Sequence, residues 1–472
     1  MKKLINKSII LSLVVALTAC NDWLNVSPKT DMKAEDLFST EAGFRDALIG
    51  VYALMATSNL YGKNLSYGYL DVLAQYYTSP RSNTSTGYEH NLKNAAAYNY
   101  TESDEESRIL SIWSSHFSAI ANINQALLFI DENREVFTSE DIHHIYKGEF
   151  LALRALLHFN ILRLFAPSPM MDNQNGLNAL AIPYVEQYTN IAQPQLTVKE
   201  VLEKVVKDLL AAKDLMKERE IFNEFDSSSP MYKRNQRMNY YAVTALLARV
   251  YLYENEKEAA LTEVKKIIGE VDGENPTSYT LATSGATATN PMFQSELIFT
   301  LDVQKLKDLS ENSFSETSLS DVLLVSEKGK QTIFTASGLE SDFRSSWLTA
   351  TSNGKEYVLT KYNNMNYIPL FKLSELYLIA AECADGEDAY WYLNQLRNHR
   401  GLSSIEHTKD IESYIYQEYR REFLGEGQLF FYYKRKLYDT VGAEDNVGIE
   451  DLKAVYNLPI PTSEIDFGNI KN

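Results

Sequence analysis

Long segments of this chain carry apolar residues at every third or fourth position, the spacing that places them along one face of a helix. Ala42 to Met55 and Ile109 to Ile130 show this spacing, and Glu149 to Phe165 shows it most strongly. Val198 to Leu215 follows Thr197, a suitable N-cap residue, and continues the pattern. These segments predict a mainly α fold.

One stretch, Asn239 to Ile268, also has the register of a tetratricopeptide-type repeat. In that register, small residues let two antiparallel helices pack closely, with the hinge here at residues 253–256. Lys372 to Ala384 and Asp388 to His399 predict a second helical hairpin, and a last helix is predicted from Ile411 to about Phe431. The strict spacing occurs once, so the pattern favours a degenerate array of tetratricopeptide-like hairpins.

Three long stretches between these helices lack a regular pattern: Tyr76 to Glu102, Asp272 to Phe293 and Asp302 to Gly354. They are rich in Ser, Thr, Asn and Gly. Loops this long in a compact protein usually carry function or are disordered. We therefore expect an irregular, long-loop side of the fold that faces a ligand.

Charge and cysteine content exclude two classes of protein. The 472 residues include 45 basic and 63 acidic ones, which gives a formal net charge of −18. Nucleic-acid binding depends on clustered Lys and Arg, so this balance argues against a nucleic-acid partner. The two cysteines, Cys20 and Cys383, are too few for a disulfide scaffold.

The N-terminus, Met1 to Cys20, is typical of an export signal. Three lysines precede a short apolar run, Ile9 to Leu17, which is far below the roughly 20 apolar residues that span a bilayer. The segment ends in Leu-Thr-Ala-Cys, which looks like a bacterial lipobox with Cys20 as the lipid acceptor. An ordinary secretory signal with a coincidental cysteine is the alternative. We expect a protein that is anchored to a membrane by lipid and does not span it.

Motifs for common catalytic chemistry are missing from the sequence, which contains no HExxH, GxSxG or GxGxxG pattern. The adjacent His143 and His144 point about 100° apart on a helix, so we expect them not to share a metal ion. Glu422 and Glu426 have the i, i+4 spacing of a carboxylate pair. They lie among arginines, which favours ion-paired helix faces over an acid–base pair for glycoside hydrolysis. We therefore predict no catalytic residue, no cofactor and no metal site.

A further set of charges suggests how two of the predicted helices pack. Glu375 and Glu382 share one helical face, and Arg397 and Arg400 lie on the helix predicted to pair with it. We expect ion pairs between these two helices.

Motifs along nearly the whole chain resemble those of the SusD/RagB family of nutrient-binding lipoproteins from Gram-negative bacteria. They are CNDWLNVSP (Cys20 to Pro28), LALRALLHFNILRLFAP (Leu151 to Pro167), LLARVYLY (Leu246 to Tyr253), IPLFKLSELYLIAAE (Ile368 to Glu382), YLNQLRNHRGL (Tyr392 to Leu402), YRREFLGEGQLFFYYKR (Tyr419 to Arg435) and LPIPTSEI (Leu458 to Ile465). Such motifs in this order are far more specific than any single short pattern.

The resemblance implies a SusD-like α/α superhelix of four repeat-like hairpins. It implies a signal peptide at residues 1–19, an N-terminal helical region at 20–220 and a C-terminal region with repeat-like hairpins at 221–472. It also implies a lipid-anchored protein on the extracellular side of the outer membrane, acting as the lid of a SusC-like TonB-dependent channel. Members bind oligosaccharides or peptides and pass them to the channel, and they are not enzymes.

Residues for ligand contact are sought among loop aromatics, because sugar rings stack on flat side chains and their hydroxyls bind polar ones. Trp347 is the only one of four tryptophans in a long polar loop, so we predict that it lies on an exposed face. The candidates are Trp347 with Asp342, Phe343 and Arg344 in one loop, and Tyr77, Tyr88, Tyr98 and Asn91 in the other. Each aromatic could instead fill its own hydrophobic cluster, or contact the channel.

Three alternatives to glycan binding remain open. The ligand of a RagB-type uptake lipoprotein is a peptide. A lipid-anchored glycoside hydrolase would depend on Glu422 and Glu426 alone. A pure repeat scaffold would bind no nutrient.

Overall fold

Long helices that follow one another along the chain make up most of the computed structural model, which describes residues 33–78, 90–219, 232–283, 290–316, 322–335, 341–407, 410–468 and 470. They are α1 (Glu41–Met55), α2 (Ser103–Ile130), α3 (Glu140–Phe165), α4 (Val198–Met216), α5 (Tyr240–Glu254), α6 (Lys257–Ile268), α7 (Leu373–Cys383), α8 (Gly386–His399), α9 (Ile411–Glu422) and α10 (Gln428–Lys436). Shorter helices lie at Ala34–Leu37, Tyr69–Leu73, Lys93–Ala96, Met171–Gln174, Leu306–Phe314, Glu327–Lys330, Leu452–Tyr456 and Thr462–Phe467. Each helix from α1 to α8 packs against the next, and the predicted mainly α fold is confirmed.

The α5–α6 hairpin forms where the repeat spacing predicts it. The Asn239 side chain accepts the N–H of Ala242 and caps the start of α5. At its end, Asn255 adopts a φ of 69°, the left-handed conformation that commonly terminates a helix. Ala248 and Ala260, small residues of the repeat pattern, are fully buried. Short side chains at these positions leave room for close helix packing.

The prediction of a single last helix from Ile411 to about Phe431 is wrong, because a turn interrupts the helix between α9 and α10. Gly425 and Gly427 have φ values of 82° and 70°, which glycine adopts without steric cost. Their N–H groups donate to the two carboxylate oxygens of buried Asp71, at 2.7 and 2.9 Å. A carboxylate distant in sequence therefore fixes a turn that apolar spacing could not reveal.

Short antiparallel strands connect the helical layers. One pair joins β1 (Leu297–Asp302) to β5 (Tyr367–Lys372), with Leu301 opposite Ile368. A three-stranded sheet has the order β2-β4-β3, and a last pair joins β6 to β7; these strands are β2 (Val325–Ser326), β3 (Leu348–Ala350), β4 (Glu356–Leu359), β6 (Thr440–Val441) and β7 (Val447–Gly448). The stretch from Asp302 to Gly354 is thus more regular than its composition suggests.

Two predicted boundaries lie outside the described residues. The signal peptide at residues 1–19 and the lipid acceptor Cys20 precede residue 33, and the proposed division at 220/221 falls in the undescribed segment 220–231. Both stay predictions. Among the described residues, no helix combines the length and the apolar character needed to cross a membrane.

Candidate functional site

The structure places Trp347 in the protein interior. Its side chain is 1% exposed, at the end of the 3-10 helix Phe343–Trp347. The indole Nε1–H donates to the carbonyl of Pro291 at 3.0 Å, and the ammonium of Lys361 lies 3.8 Å from the ring centroid. The prediction of an exposed Trp347 is wrong, because the ring fills the space beneath its own loop and anchors it.

The neighbours of Trp347 are also occupied by internal contacts. The Arg344 guanidinium is fully buried and donates two hydrogen bonds to the Asp342 carboxylate, at 3.0 and 2.7 Å. Half-buried Phe343 packs edge-on against Phe293, with ring centroids 5.7 Å apart. These contacts hold the loop to the scaffold, so the polar groups beside Trp347 bind one another and not a ligand at an exposed face.

The two described tyrosines of the second predicted cluster make internal hydrogen bonds. The hydroxyl of buried Tyr77 donates to the carbonyl of Tyr67, and that of half-buried Tyr98 donates to the carbonyl of Leu73, both at 2.9 Å. Asn91 is exposed, whereas Tyr88 lies outside the described residues. A role in ligand contact stays a prediction for all eight candidates, and the burial of Trp347, Arg344, Asp342 and Tyr77 disfavours it for those four.

The interpretation of Glu422 and Glu426 as ion-paired groups is confirmed. Buried Glu422 accepts hydrogen bonds from Arg344 at 2.9 Å and from Arg400 at 3.1 Å. Lys372 contacts both carboxylates, Glu422 at 3.1 Å and Glu426 at 2.8 Å. Burial raises the pKa of Glu422, but Arg400, Lys372 and Arg344 together hold it well below its usual value. Such a group is a structural anion, not a proton donor poised near neutral pH.

The predicted ion pairs between α7 and α8 form with other partners. Glu375 binds Arg249 of α5 through two hydrogen bonds of 2.6 Å, and Glu382 binds Arg435 of α10. Arg397 of α8 contacts Glu418 of α9, and Arg400, which follows the end of α8, contacts Glu296 and Glu422. The prediction was wrong about the partners, because Glu375 and Glu382 bind arginines of helices that are distant in sequence.

An open groove of about 890 Å³ lies beside α1 and is here called the α1 groove. Its floor is apolar and comes from α1 and the residues after it. Its walls come from the segment before α5 and from the end of β1. The lining residues are Ile49, Tyr52, Ala53, Ala56, Thr57, Ser58, Tyr232, Lys233, Gln236, Arg237, Leu301, Asp302, Val303, Gln304, Lys305 and Leu309. Its volume and mixed lining are typical of small-ligand sites.

The rim of the α1 groove is polar and carries charges of both signs. The ammonium of Lys233 lies 5.2 Å from the ring centroid of half-buried Tyr232. Partial burial raises the pKa of Asp302, and nearby Lys233 opposes this shift. The amides of Gln236 and Gln304 offer both donors and acceptors. An aromatic ring flanked by two amides, a carboxylate and ammonium groups suits a ligand rich in hydroxyls.

Contacts behind the floor hold the groove in shape. The hydroxyl of Tyr52 donates to Glu149 and accepts the N–H of Met238 at 2.9 Å, so only its ring faces the groove. Arg237 donates through Nε to Glu149 at 2.7 Å, and buried Arg234 donates to the same carboxylate at 2.8 Å. Among the described residues, Nη2 of Arg237 has no hydrogen-bond partner. Nη2 is itself buried, so the bonds to Glu149 fix this guanidinium beside the groove.

A second groove, of about 500 Å³, lies between α2 and the loop after α3, and is here called the α2 groove. Phe117 of α2 lines one side. Tyr188, which is 53% exposed, lines the other together with Gln187, Asn190 and Gln193. The α2 groove is smaller than the α1 groove, and its exposed tyrosine provides a control for experiments on the α1 groove.

Among the described residues, one group has the side chains and spacing of possible metal ligands. It consists of Glu140, His143 and His144, whose ligand atoms lie within 4.8 Å of one another. The two imidazole ring centroids are 5.5 Å apart; His144 Nε2 lies 2.9 Å from Glu140, and His143 Nε2 lies 3.5 Å from Asp131. Arg134 already donates to Glu140 at 2.8 Å, so the carboxylate has a cation partner. The absence of a metal stays a prediction.

Sequence reasoning missed the α1 groove because its walls come from segments far apart in the chain. Tyr232, Gln236 and Gln304 lie in no motif and follow no periodic pattern. The only available signal was an aromatic next to a cation, Tyr232-Lys233, just ahead of the predicted repeat.

Comparison with known proteins gives two family matches that together cover nearly the whole chain. A family model described as the SusD family matches residues 219–467. Another, described as starch-binding and associating with the outer membrane, matches residues 22–252. The matches meet near the segment that precedes α5.

Two curated relatives from Formosa agariphila are distant in sequence. SusD-like protein P2 is 23% identical over 54% of this chain, and the chain spans 44% of that relative's length. SusD-like protein P25 is 20% identical, with 90% of this chain and 88% of the relative covered.

Solved structures share the whole architecture. A SusD superfamily protein from Bacteroides thetaiotaomicron superposes with a TM-score of 0.75 at 23% identity, covering 92% of this chain and 99% of that one. A laminarin-binding SusD-like protein superposes with a TM-score of 0.65 at 17% identity, covering 90% and 97%. At these identities the likeness establishes the fold alone.

Proposed function

Because the chain belongs to the SusD family, we propose that it is a non-catalytic, lipid-anchored protein that captures glycans at the cell surface. It delivers them to a SusC-like TonB-dependent channel in the outer membrane, over which it acts as a lid. The family description as starch-binding and outer-membrane-associated supports this proposal, as does the laminarin-binding protein of the same fold.

The α1 groove carries the proposal, because it combines the volume and the side chains that a short oligosaccharide needs. The ring of Tyr232 supplies a surface for the apolar face of a sugar. Gln236, Gln304 and Asp302 supply hydrogen-bonding groups for its hydroxyls. The small side chain of Ala53 on the floor leaves room for a sugar ring in this groove. Modest affinity per site combined with several contacts then retains the polymer.

A peptide is the second candidate ligand, and the charges of the α1 groove favour it in one respect. Lys233 and Lys305 lie on the same rim as Asp302, so both termini of a peptide find opposite charges there. A glycan without charged groups gains nothing from these ammonium groups. The two ligand classes therefore differ in their salt dependence, since exposed charge pairs are screened by salt.

A lipid-anchored hydrolase has less support. Its candidate carboxylates, Glu422 and Glu426, are buried and paired with Lys372, and Glu422 also binds Arg344 and Arg400. Neither carboxylate lines the α1 groove or the α2 groove. Incubation of purified protein with laminarin and starch, followed by reducing-end analysis, tests this alternative directly.

Calorimetric titration with laminarin and starch oligosaccharides, and with mixed oligopeptides, tests the proposed site. Tyr232→Ala removes the aromatic surface of the α1 groove. Aromatic packing contributes about 0.5–1.5 kcal/mol beyond area burial, so the dissociation constant for the bound oligosaccharide should rise about two- to tenfold.

Tyr188→Ala is the matched control, because Tyr188 is an exposed tyrosine of the α2 groove. It should leave the affinity unchanged. Equal affinities of the wild type and Tyr232→Ala would remove the α1 groove from the proposal, and a loss confined to Tyr188→Ala would transfer the site to the α2 groove. Recovery of a β-barrel protein with the tagged lipoprotein from outer membranes tests the channel partnership separately.

A further inference from the structure

A small cavity of about 40 Å³ is lined by residues of α3, α5, α7, α9 and α10, none of which lines either groove. Its polar lining comes from Arg163, Arg249, Tyr253, Glu375, Tyr419, Gln428, Tyr432 and Arg435. A cavity of this volume exceeds the space of about 10–15 Å³ that one buried water requires. The site is therefore large enough for one small ion and lined by groups that bind ions.

Arg163 enters this cavity with an incomplete set of hydrogen bonds. Its side chain is buried, with the Phe431 and Phe159 ring centroids 3.8 and 4.5 Å from Cζ. Nη2 donates to Asn160 at 2.7 Å, and Nη1 makes a long contact of 3.4 Å with Gln428. Nε has no partner among the described residues. A buried donor without an acceptor is costly, which indicates an unseen partner.

The other arginines of the cavity already have their counter-charges. Arg249 and Glu375 form a two-bond pair, and Arg435 and Glu382 form another, with bonds of 2.6–2.7 Å. Arg163, in contrast, forms no ion pair with any carboxylate in the described part of the chain. The cavity therefore has one uncompensated positive charge.

Two further observations agree with this excess of positive charge. The hydroxyl of buried Tyr253, which lines the cavity, has no hydrogen-bond partner among the described residues. Lys434 is buried and donates to the carbonyl of Tyr456 at 2.8 Å; burial, and then the neighbouring Arg163, lower the pKa of Lys434 well below its usual value. Burial, and then the neighbouring Arg249, lower the pKa of Arg163 to about 9.

We propose that this cavity binds a small monovalent inorganic anion of the chloride type, held by Nε–H of Arg163 and the hydroxyl of Tyr253. A halide accepts hydrogen bonds from both donors and neutralises the guanidinium, which a water molecule does not do. Because the lining residues come from α3 and α5 as well as from α7, α9 and α10, the bound anion joins early and late parts of the helical array. The anion then stabilises the folded protein by mass action.

Two measurements on the full-length mature protein test this proposal. The first is a crystal soaked in bromide, which should show an anomalous peak at hydrogen-bonding distance from Arg163 Nε and Tyr253 Oη. The second is thermal unfolding in sodium chloride against sodium gluconate at matched ionic strength. The melting temperature should rise with chloride concentration and stay constant in gluconate.

Tyr253→Phe removes one donor with little change in volume, so the chloride concentration for half-maximal stabilisation should rise about tenfold or more. Tyr67→Phe is the control, because Tyr67 is also buried with an unpartnered hydroxyl and does not line this cavity. It should leave the chloride response unchanged. Water density alone in the soaked crystal, or equal chloride responses in the wild type and Tyr253→Phe, would overturn the anion site.

Discussion

Replacement of Glu422 by Gln removes the central anion of the buried ion network and keeps the side-chain shape. In the wild type, the two carboxylate oxygens face Arg344, Arg400 and Lys372 at 2.9–3.1 Å. Loss of one partner from a buried ion pair costs about 3–5 kcal/mol. Each of the three cations keeps another carboxylate, for example Glu426 beside Lys372, so we expect the lower end, about 3 kcal/mol.

The expected shift in melting temperature follows from the size of the chain. At about 2.1 cal/mol/K per residue, unfolding of the 472 residues carries an entropy of about 1 kcal/mol/K, so about 3 kcal/mol lowers the melting temperature by about 3 °C. Urea unfolding followed by circular dichroism measures the same loss as a lower midpoint with an unchanged slope.

Glu412→Gln is the matched control, because Glu412 lies on the same helix but is half exposed and pairs with Lys436 at the surface. It should cost less than about 1 kcal/mol. Equal shifts for the two variants would refute the assignment of Glu422 to a buried network. An unchanged unfolding curve with loss of polymer turnover would instead support the hydrolase.

Three other predictions follow from the anchor, the buried indole and the buried ionisable groups. Cys20→Ala should leave the protein unlipidated and absent from outer-membrane fractions; full partitioning of the variant with outer membranes would contradict the lipobox. Trp347→Ala should lower the free energy of unfolding by about 3–5 kcal/mol, because it leaves a cavity above Lys361, while oligosaccharide affinity should stay unchanged. Acid should destabilise the fold in two stages. Burial lowers the pKa of His158 to about 3, so protonation of the unfolded chain reduces stability as the pH falls below about 6.5. Burial raises the pKa of Glu418, but Arg344, Arg421 and Arg397 lower it to about 2, so its stabilisation is complete above about pH 4.5 and is lost toward pH 2. A free energy of unfolding that is constant from pH 7 to pH 3 would contradict both assignments.

Helix positions were predictable because they depend on local spacing. Thr197 was expected to open a helix, and in the structure its hydroxyl and the Glu200 carboxylate form a reciprocal capping box. The same holds for the α5–α6 hairpin, whose residues carry both the spacing and the small side chains. Long amphipathic segments contain this information within themselves.

Features that depend on distant partners could not be predicted from spacing. The break between α9 and α10 requires Asp71, which lies more than 350 residues earlier in the chain. The partners of Glu375 and Glu382 were wrong for the same reason, since the cations that bind them belong to α5 and α10. Charge pairing across a superhelix depends on tertiary packing and leaves no local pattern.

The exposure of the candidate site residues also could not be predicted from the local sequence. Polar neighbours made Trp347 look exposed, but Asp342 and Arg344 are polar because they belong to an internal ion network. Tyr232, with no pattern around it, instead lines the open α1 groove. Composition alone does not distinguish a polar loop that faces solvent from one that seals a charged interior.

The most direct test of the proposed function is a crystal structure of the protein bound to the laminarin or starch oligosaccharide that binds most tightly in solution. We predict sugar density in the α1 groove, with one ring against Tyr232 and hydroxyls within hydrogen-bonding distance of Gln236 and Gln304. Density in the α2 groove or elsewhere with an empty α1 groove would contradict the assigned site, and the absence of binding by any glycan would contradict glycan capture itself.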